Sequence, residues 1–75
     1  MALRIERSRL PELLAQAGMT QTQLARRLDV SDAFIHKVVK GIRHLSLTKS
    51  KEAAIILDCT IDDLYVWADE QGKRW

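Results

Sequence analysis

Seventy-five residues, 47% hydrophobic and 29% charged, suffice for one domain around one core and leave no room for a deep substrate cavity. A lone cysteine excludes an internal disulfide framework, and three glycines with one proline argue against a loop-rich β sandwich. No apolar run, that of residues 53–57 included, exceeds five residues, far short of the ~20 of a membrane span, and residues 1–7 lack a signal-peptide core, so a cytoplasmic protein is expected.

The first predicted helix starts at a Ser8 cap and runs to about Ala17, with Pro11 in its first turn, where a missing N–H is harmless. Leu10, Leu13, Leu14 and Ala17 form its apolar stripe, and Gly18 supplies the left-handed residue that ends it. Thr20-Gln21-Thr22-Gln23 reads as a capping box that opens a second helix to about Leu28, with Leu24, Ala25 and Leu28 inward. Asp29-Val30 then forms a tight turn. Ser31 caps a third helix to about Lys40, ended by Gly41, with Ile35 and Val38 inward.

Residues 42–45 read as a basic loop, and Ser46 or Thr48 caps a fourth helix to about Leu57. Thr60-Ile61-Asp62-Asp63 resembles a second capping box and predicts a fifth helix through roughly Ala68. Residues 70–75 are expected to fray unless Trp75 packs. No segment alternates apolar and polar residues at period two. The expectation is an all-α domain of five helices spanning residues 1–75, with a C-terminal helix and tail over 60–75.

Charge divides this chain unevenly. Residues 1–51 carry ten Lys or Arg against four acids, whereas residues 52–75 carry six acids against Lys73 and Arg74. Between Lys37 and Lys51 lie five Lys or Arg, one His and no acid, as expected of a polyanion-binding face. The unit that could use it is residues 20–41, two short helices joined by about three residues and therefore crossing steeply. Ala25 is small where the second of these helices must pass, and Val30 plugs the turn. The outward face of that second helix then carries Asp32, Ala33, His36, Lys37 and Lys40. A helix of this kind fits the major groove of B-DNA.

Residues 9–65 resemble the phage-repressor/Cro-type helix-turn-helix proteins, the XRE family. The matching residues are Met19-Thr20-Gln21, Leu24-Ala25, Leu28, Val30-Ser31, Ile35, Lys37-Val38 and Gly41, then Ala54, Leu57 and Thr60-Ile61-Asp62-Asp63-Leu64. The resemblance implies a compact lambda-repressor-like domain with a central helix-turn-helix. It places Asp32, Ala33, His36, Lys37 and Lys40 at base edges and Thr20, Gln21, Ser31, Arg43 and His44 at phosphates. Asp29 stands where the family usually has glycine, Asp32 replaces a residue that is usually neutral, and Ser50 occupies a commonly apolar position.

Other residues carry weaker signals. Neither a metal nor a cofactor is expected at His36, and Cys59 reads as a buried inert thiol. Phe34 is open between the sugar-phosphate edge and packing on the second helix. Ile61, Leu64, Tyr65, Val66 and Trp67 exceed what a small monomer hides. Leu64 closes the core, and Ile61, Tyr65, Trp67 and Trp75 are the expected two-fold interface.

The implied function is a DNA-binding transcriptional regulator, a repressor that inserts the helix over 31–40 into a palindromic operator as a homodimer. Double-stranded DNA and a second copy are the expected partners, with no membrane and no small-molecule substrate. The alternative is an antitoxin that binds its operator and masks a partner protein. No catalytic constellation or phosphate-cradling glycine loop points to an enzyme.

Overall fold

The computed structural model describes residues 2–75, arranged as β1 (Arg4–Ser8), α1 (Leu10–Ala17), α2 (Gln21–Leu28), α3 (Asp32–Val39), α4 (Leu47–Ile56), a single 3-10 turn (Asp62–Leu64) and β2 (Tyr65–Ala68). Three of the four helices, α2, α3 and α4, follow the expected capping chemistry. The Thr20 hydroxyl accepts from the Gln23 N–H at 3.1 Å while the Gln23 Oε1 accepts from the Thr20 N–H at 2.8 Å, a complete capping box. Ser31 accepts from the Phe34 N–H at 3.0 Å and Ser46 from the Lys49 N–H at 3.1 Å, so α3 and α4 also start on a side-chain cap. At α1 the cap position is Arg9 and bonds no helix N–H through its side chain; Ser8, one residue earlier, accepts from the Leu10 N–H at 3.1 Å.

The core gathers Leu10, Leu13 and Leu14 from α1, Leu24, Ala25 and Leu28 from α2, Ile35 and Val38 from α3, and Ala53 and Leu57 from α4 and its cap, with Leu45, Leu64 and Tyr65. Ala17 is exposed and takes no part, because α1 ends there and Gly18 turns away at φ 63°. Ser50 is buried beside Ala53 and Ala54 on α4, a run of small side chains. Cys59 is half-buried at the rim of the core. Burial pushes its thiol pKa up and the nearby Asp63 charge adds to the effect, which favours the protonated form.

The expected fifth helix is absent among the described residues, and the domain is not all-α. The second capping box does form: Thr60 N–H donates to Asp63 Oδ2 at 3.0 Å and Asp63 N–H to the Thr60 hydroxyl at 3.3 Å. It nucleates only one 3-10 turn, after which Tyr65-Val66-Trp67-Ala68 pairs antiparallel with β1. Aromatic and β-branched side chains favour this extended form, and pairing satisfies their backbone groups as a helix would. Arg4 lies opposite Ala68, Ile5 opposite Trp67, Arg7 opposite Val66 and Ser8 opposite Tyr65, so Glu6 is an extra residue on β1. That bulge breaks the period-two pattern in the sequence.

The sheet ties the chain ends together. Arg9 N–H donates to the Leu64 carbonyl at 2.8 Å, and Arg9 Nη1 to the Asp63 carbonyl at 3.2 Å. Glu12 pairs with Arg7 at 3.1 Å and with Arg9 at 3.6 Å, and the Arg7 hydrogen bond holds its carboxyl below the ordinary value. Residues 69–75 hook back along β2: Trp75 N–H donates to the Trp67 carbonyl at 3.2 Å, and Ala68 bridges to Arg74. Asp69 anchors the hook, accepting from the N–H groups of Gln71 and Lys73 at 2.9 Å and from the Trp75 indole at 3.4 Å. Burial raises its carboxyl pKa, but these hydrogen bonds and the Arg4 charge outweigh burial and hold it below the ordinary value.

Asp29 closes α2 at φ 57° and ψ 46°, the left-handed geometry a glycine adopts without strain. Its carboxylate also sits at the negative end of the α2 dipole. Asp29→Gly is therefore expected to stabilise the domain by about 0.5 kcal/mol and to raise the melting midpoint by about 2–4 °C. A lower midpoint in that variant would contradict the strain.

Candidate nucleic-acid interface

α3 has two unlike faces. Ile35 and Val38 are buried against α2 and the core, Phe34 and Val39 are half-buried, and Asp32, Ala33, His36, Lys37 and Lys40 are exposed. The five side chains assigned to base edges thus lie together on the uncovered face of α3 and its cap. Phe34 is half-buried and packs on the core cluster. Asp32 lies in the first turn of α3, where its negative charge favours the helix dipole.

The frame under α3 is rigid for identifiable reasons. Ala25 is completely buried, so no side chain holds α2 and α3 apart at that point. The turn is closed by Val30 N–H donating to the Ala25 carbonyl at 3.0 Å. At the far end, Ile42 N–H donates to the Lys37 carbonyl at 2.9 Å and Gly41 N–H to the Val38 carbonyl at 3.0 Å, with Gly41 at φ 81°. Arg43 and His44 consequently leave the end of α3 in a defined direction, and both are exposed. His44 also meets the Tyr65 ring edge-on, with centroids 6.1 Å apart.

Thr20 and Ser31 are exposed, and each uses its hydroxyl oxygen as the acceptor of a cap. Each hydroxyl keeps its hydrogen free to donate, the capability a phosphate contact needs. Gln21 is half-buried at the first position of α2, where unpaired helix N–H groups attract anions.

The basic stretch does not act as one surface. Lys49 is half-buried; its Nζ donates to the Leu28 carbonyl at 2.6 Å and pairs with Glu52 at 3.6 Å. It thereby satisfies a free carbonyl at the end of α2 and joins α4 to the turn of the helix-turn-helix. Its signal in the sequence is a cation in the first turn of a helix, where the dipole disfavours it. Arg4, Arg7 and Arg9 are occupied in the same way near the sheet. Lys37, Lys40 and Arg43 take part in no ion pair among the described residues, so their charge remains available at the α3 face.

Lys49→Gln is therefore expected to cost about 1 kcal/mol of stability through the lost charged hydrogen bond. The salt dependence of DNA binding should stay unchanged. A variant with unaltered melting but a shallower salt slope would place Lys49 on a phosphate instead.

The expected interface aromatics are largely used within the chain. Tyr65 is buried in the core with its hydroxyl unpaired by protein, and its ring meets Trp67 edge-on at 5.6 Å. Trp67 is half-buried and its indole donates to the Asp62 carbonyl at 3.2 Å. Trp75 is 60% exposed, bonded to Asp69 and covered by Lys73 Nζ at 4.1 Å from its ring. Leu3, Asp62, Trp67 and Trp75 line a small groove beside the sheet, and Ile61 is half-buried.

The sequence model of the helix-turn-helix family matches residues 12–64, which run from within the first turn of α1 to the end of the 3-10 turn. A protein of Archaeoglobus fulgidus described as an uncharacterized HTH-type transcriptional regulator is 34% identical over 65 residues, which cover 87% of this chain and 93% of that one. An exposed α3 carried on a capped, tightly crossed α2, with the family pattern running through both, leads to one assignment: the chain belongs to the Cro/C1-type helix-turn-helix (XRE) family of DNA-binding proteins that regulate transcription.

Proposed function

We propose that this protein is a sequence-specific repressor that lays α3 in the major groove of a palindromic operator and binds as a homodimer. The observation that carries the reading is the division of α3. Its inner residues are fixed in the core, and its outer face offers Asp32, Ala33, His36, Lys37 and Lys40 to the groove. Lys37 suits the O6 and N7 acceptors of guanine, Ala33 a thymine methyl, and Asp32 a cytosine amino group. Thr20, Gln21, Ser31, Arg43 and His44 set the register on the phosphates.

The domain carries one recognition helix, so a second copy supplies the other half of the contact, with recognition helices about 34 Å apart. Selection of bound sequences from random duplex DNA tests the reading directly. An inverted repeat with half-sites one helical turn apart is expected, and a pool with no enriched site would refute it.

The two kinds of contact should separate. Arg43→Ala is expected to weaken binding to every sequence alike and to reduce the salt slope by about one unit per protomer, as loss of one phosphate contact does. Titrations at several salt concentrations measure this. A change confined to one base pair would move Arg43 from the backbone to the bases.

A further inference from the structure

α4 carries apolar side chains on both of its sides. Ser50, Ala53 and Ala54 are buried, yet Ile55 is 68% exposed on the opposite side, and Leu47, at the first position of the helix, is 77% exposed. A surface helix ordinarily presents polar residues there. The residues around Ile55 are arranged by sign: Lys51 lies one turn before it and Asp58 three residues after it, both exposed. Neither takes part in an ion pair among the described residues. By contrast, Glu52, on the other flank, is held by Lys49 at 3.6 Å.

A two-fold interface brings one patch against itself, so it needs an apolar centre with opposite charges on its two sides. The Lys51–Ile55–Asp58 face has that pattern. Antiparallel packing of α4 on a second α4 puts Ile55 against its own copy at the axis. Lys51 of each protomer then lies near Asp58 of the other, twice, on the same side of the seam. Glu52 stays outside.

We infer that the exposed face of α4, centred on Ile55 and flanked by Lys51 and Asp58, is the self-complementary seam through which two copies of this chain associate. The inference rests on the homodimer reading above and specifies where that dimer forms. The occupant is a second copy because one face carries both members of the charge pair, so that a two-fold copy of it sets Lys51 against Asp58 at both ends.

Sedimentation of the full chain, alone and on the duplex recovered by selection, tests the seam. Ile55→Arg should raise the dimer dissociation constant at least about tenfold, and so should Lys51→Glu or Asp58→Lys, each of which sets like charges opposite one another. Mixing the Lys51→Glu and Asp58→Lys chains in equal amounts pairs opposite charges at both ends, and the mixture should dimerise within about threefold of the unaltered protein. Melting curves accompany each variant, because Asp58 sits at φ 55° and lysine there is strained. Asp58→Asn removes the charge while tolerating that conformation, and should weaken the dimer without unfolding the chain.

A dimer that survives Ile55→Arg, or a mixture that binds no better than either variant alone, overturns the seam. A dimer lost on Trp75→Ala but kept in Ile55→Arg does the same while preserving the homodimer reading, and moves the interface to the groove beside the sheet. A single chain per selected site refutes the homodimer itself.

Discussion

Enlarging Ala25 to leucine is expected to lower stability by about 1–3 kcal/mol and to abolish sequence-specific DNA binding. Ala25 is fully buried in the core that α2 shares with α3, and its carbonyl closes the turn to Val30. Three added carbons meet close-packed atoms, and a core of this density accommodates them only by moving backbone. The element with most freedom to move is α3, which is joined to α2 by a short turn and carries the groove-facing residues. At about 0.05–0.15 kcal/mol per residue, a domain of this length has only several kcal/mol of stability in total. Thermal melting should therefore fall by about 5–20 °C. Binding at low temperature, where the variant is still folded, should lose its preference for the selected site while retaining salt-dependent binding to any duplex. A variant that melts and discriminates normally would show that α3 does not rest on this position.

The second large effect is expected at Lys37. Its side chain is exposed on α3 with no ion-pair partner among the described residues, so its removal leaves the fold untouched. A good contact to a base edge carries about 1–3 kcal/mol of discrimination. Lys37→Ala should thus lower the ratio of specific to non-specific affinity by about 10- to 100-fold per half-site, with loss of preference confined to one base pair. A simple phosphate contact behaves differently, weakening all sequences alike. If the ratio is unchanged in competition titrations, α3 is not read through Lys37.

Both predictions concern residues that the sequence alone singles out. Ala25 was marked by its size at the expected crossing, and Lys37 by its place opposite Ile35 and Val38. These signals are local. A hydroxyl three residues before a free N–H, or two branched apolar residues three apart, act within one or two helical turns. Sequence order preserves those distances. The same holds for Gly18 and for the left-handed Asp29, since a helix end is decided by the backbone of a single residue.

The sheet and the use of the charges were not legible in this way. β1 and β2 are separated by most of the chain, and neither is stable as a strand without the other. Glu6 disrupts the alternation of β1, and the Thr60 capping box gives the following segment a helical signature that its pairing then overrides. Lys49 reads as one more cation in a basic run until the Leu28 carbonyl is placed beneath it. Trp75 would fray but for Asp69 and Trp67, which it reaches by hooking back along β2.

Helix boundaries, caps and the inward stripe of α2 and α3 were thus written in short-range chemistry, where each residue's neighbours in the chain are also its neighbours in space. Which strand Tyr65-Val66-Trp67 joins, and which lysines remain free for a polyanion, depended on groups distant in sequence: β1 at the other end of the chain, and the Leu28 carbonyl 21 residues before Lys49. Backbone pairing and ion pairing reward whichever partner the packed core delivers, and linear order does not name that partner.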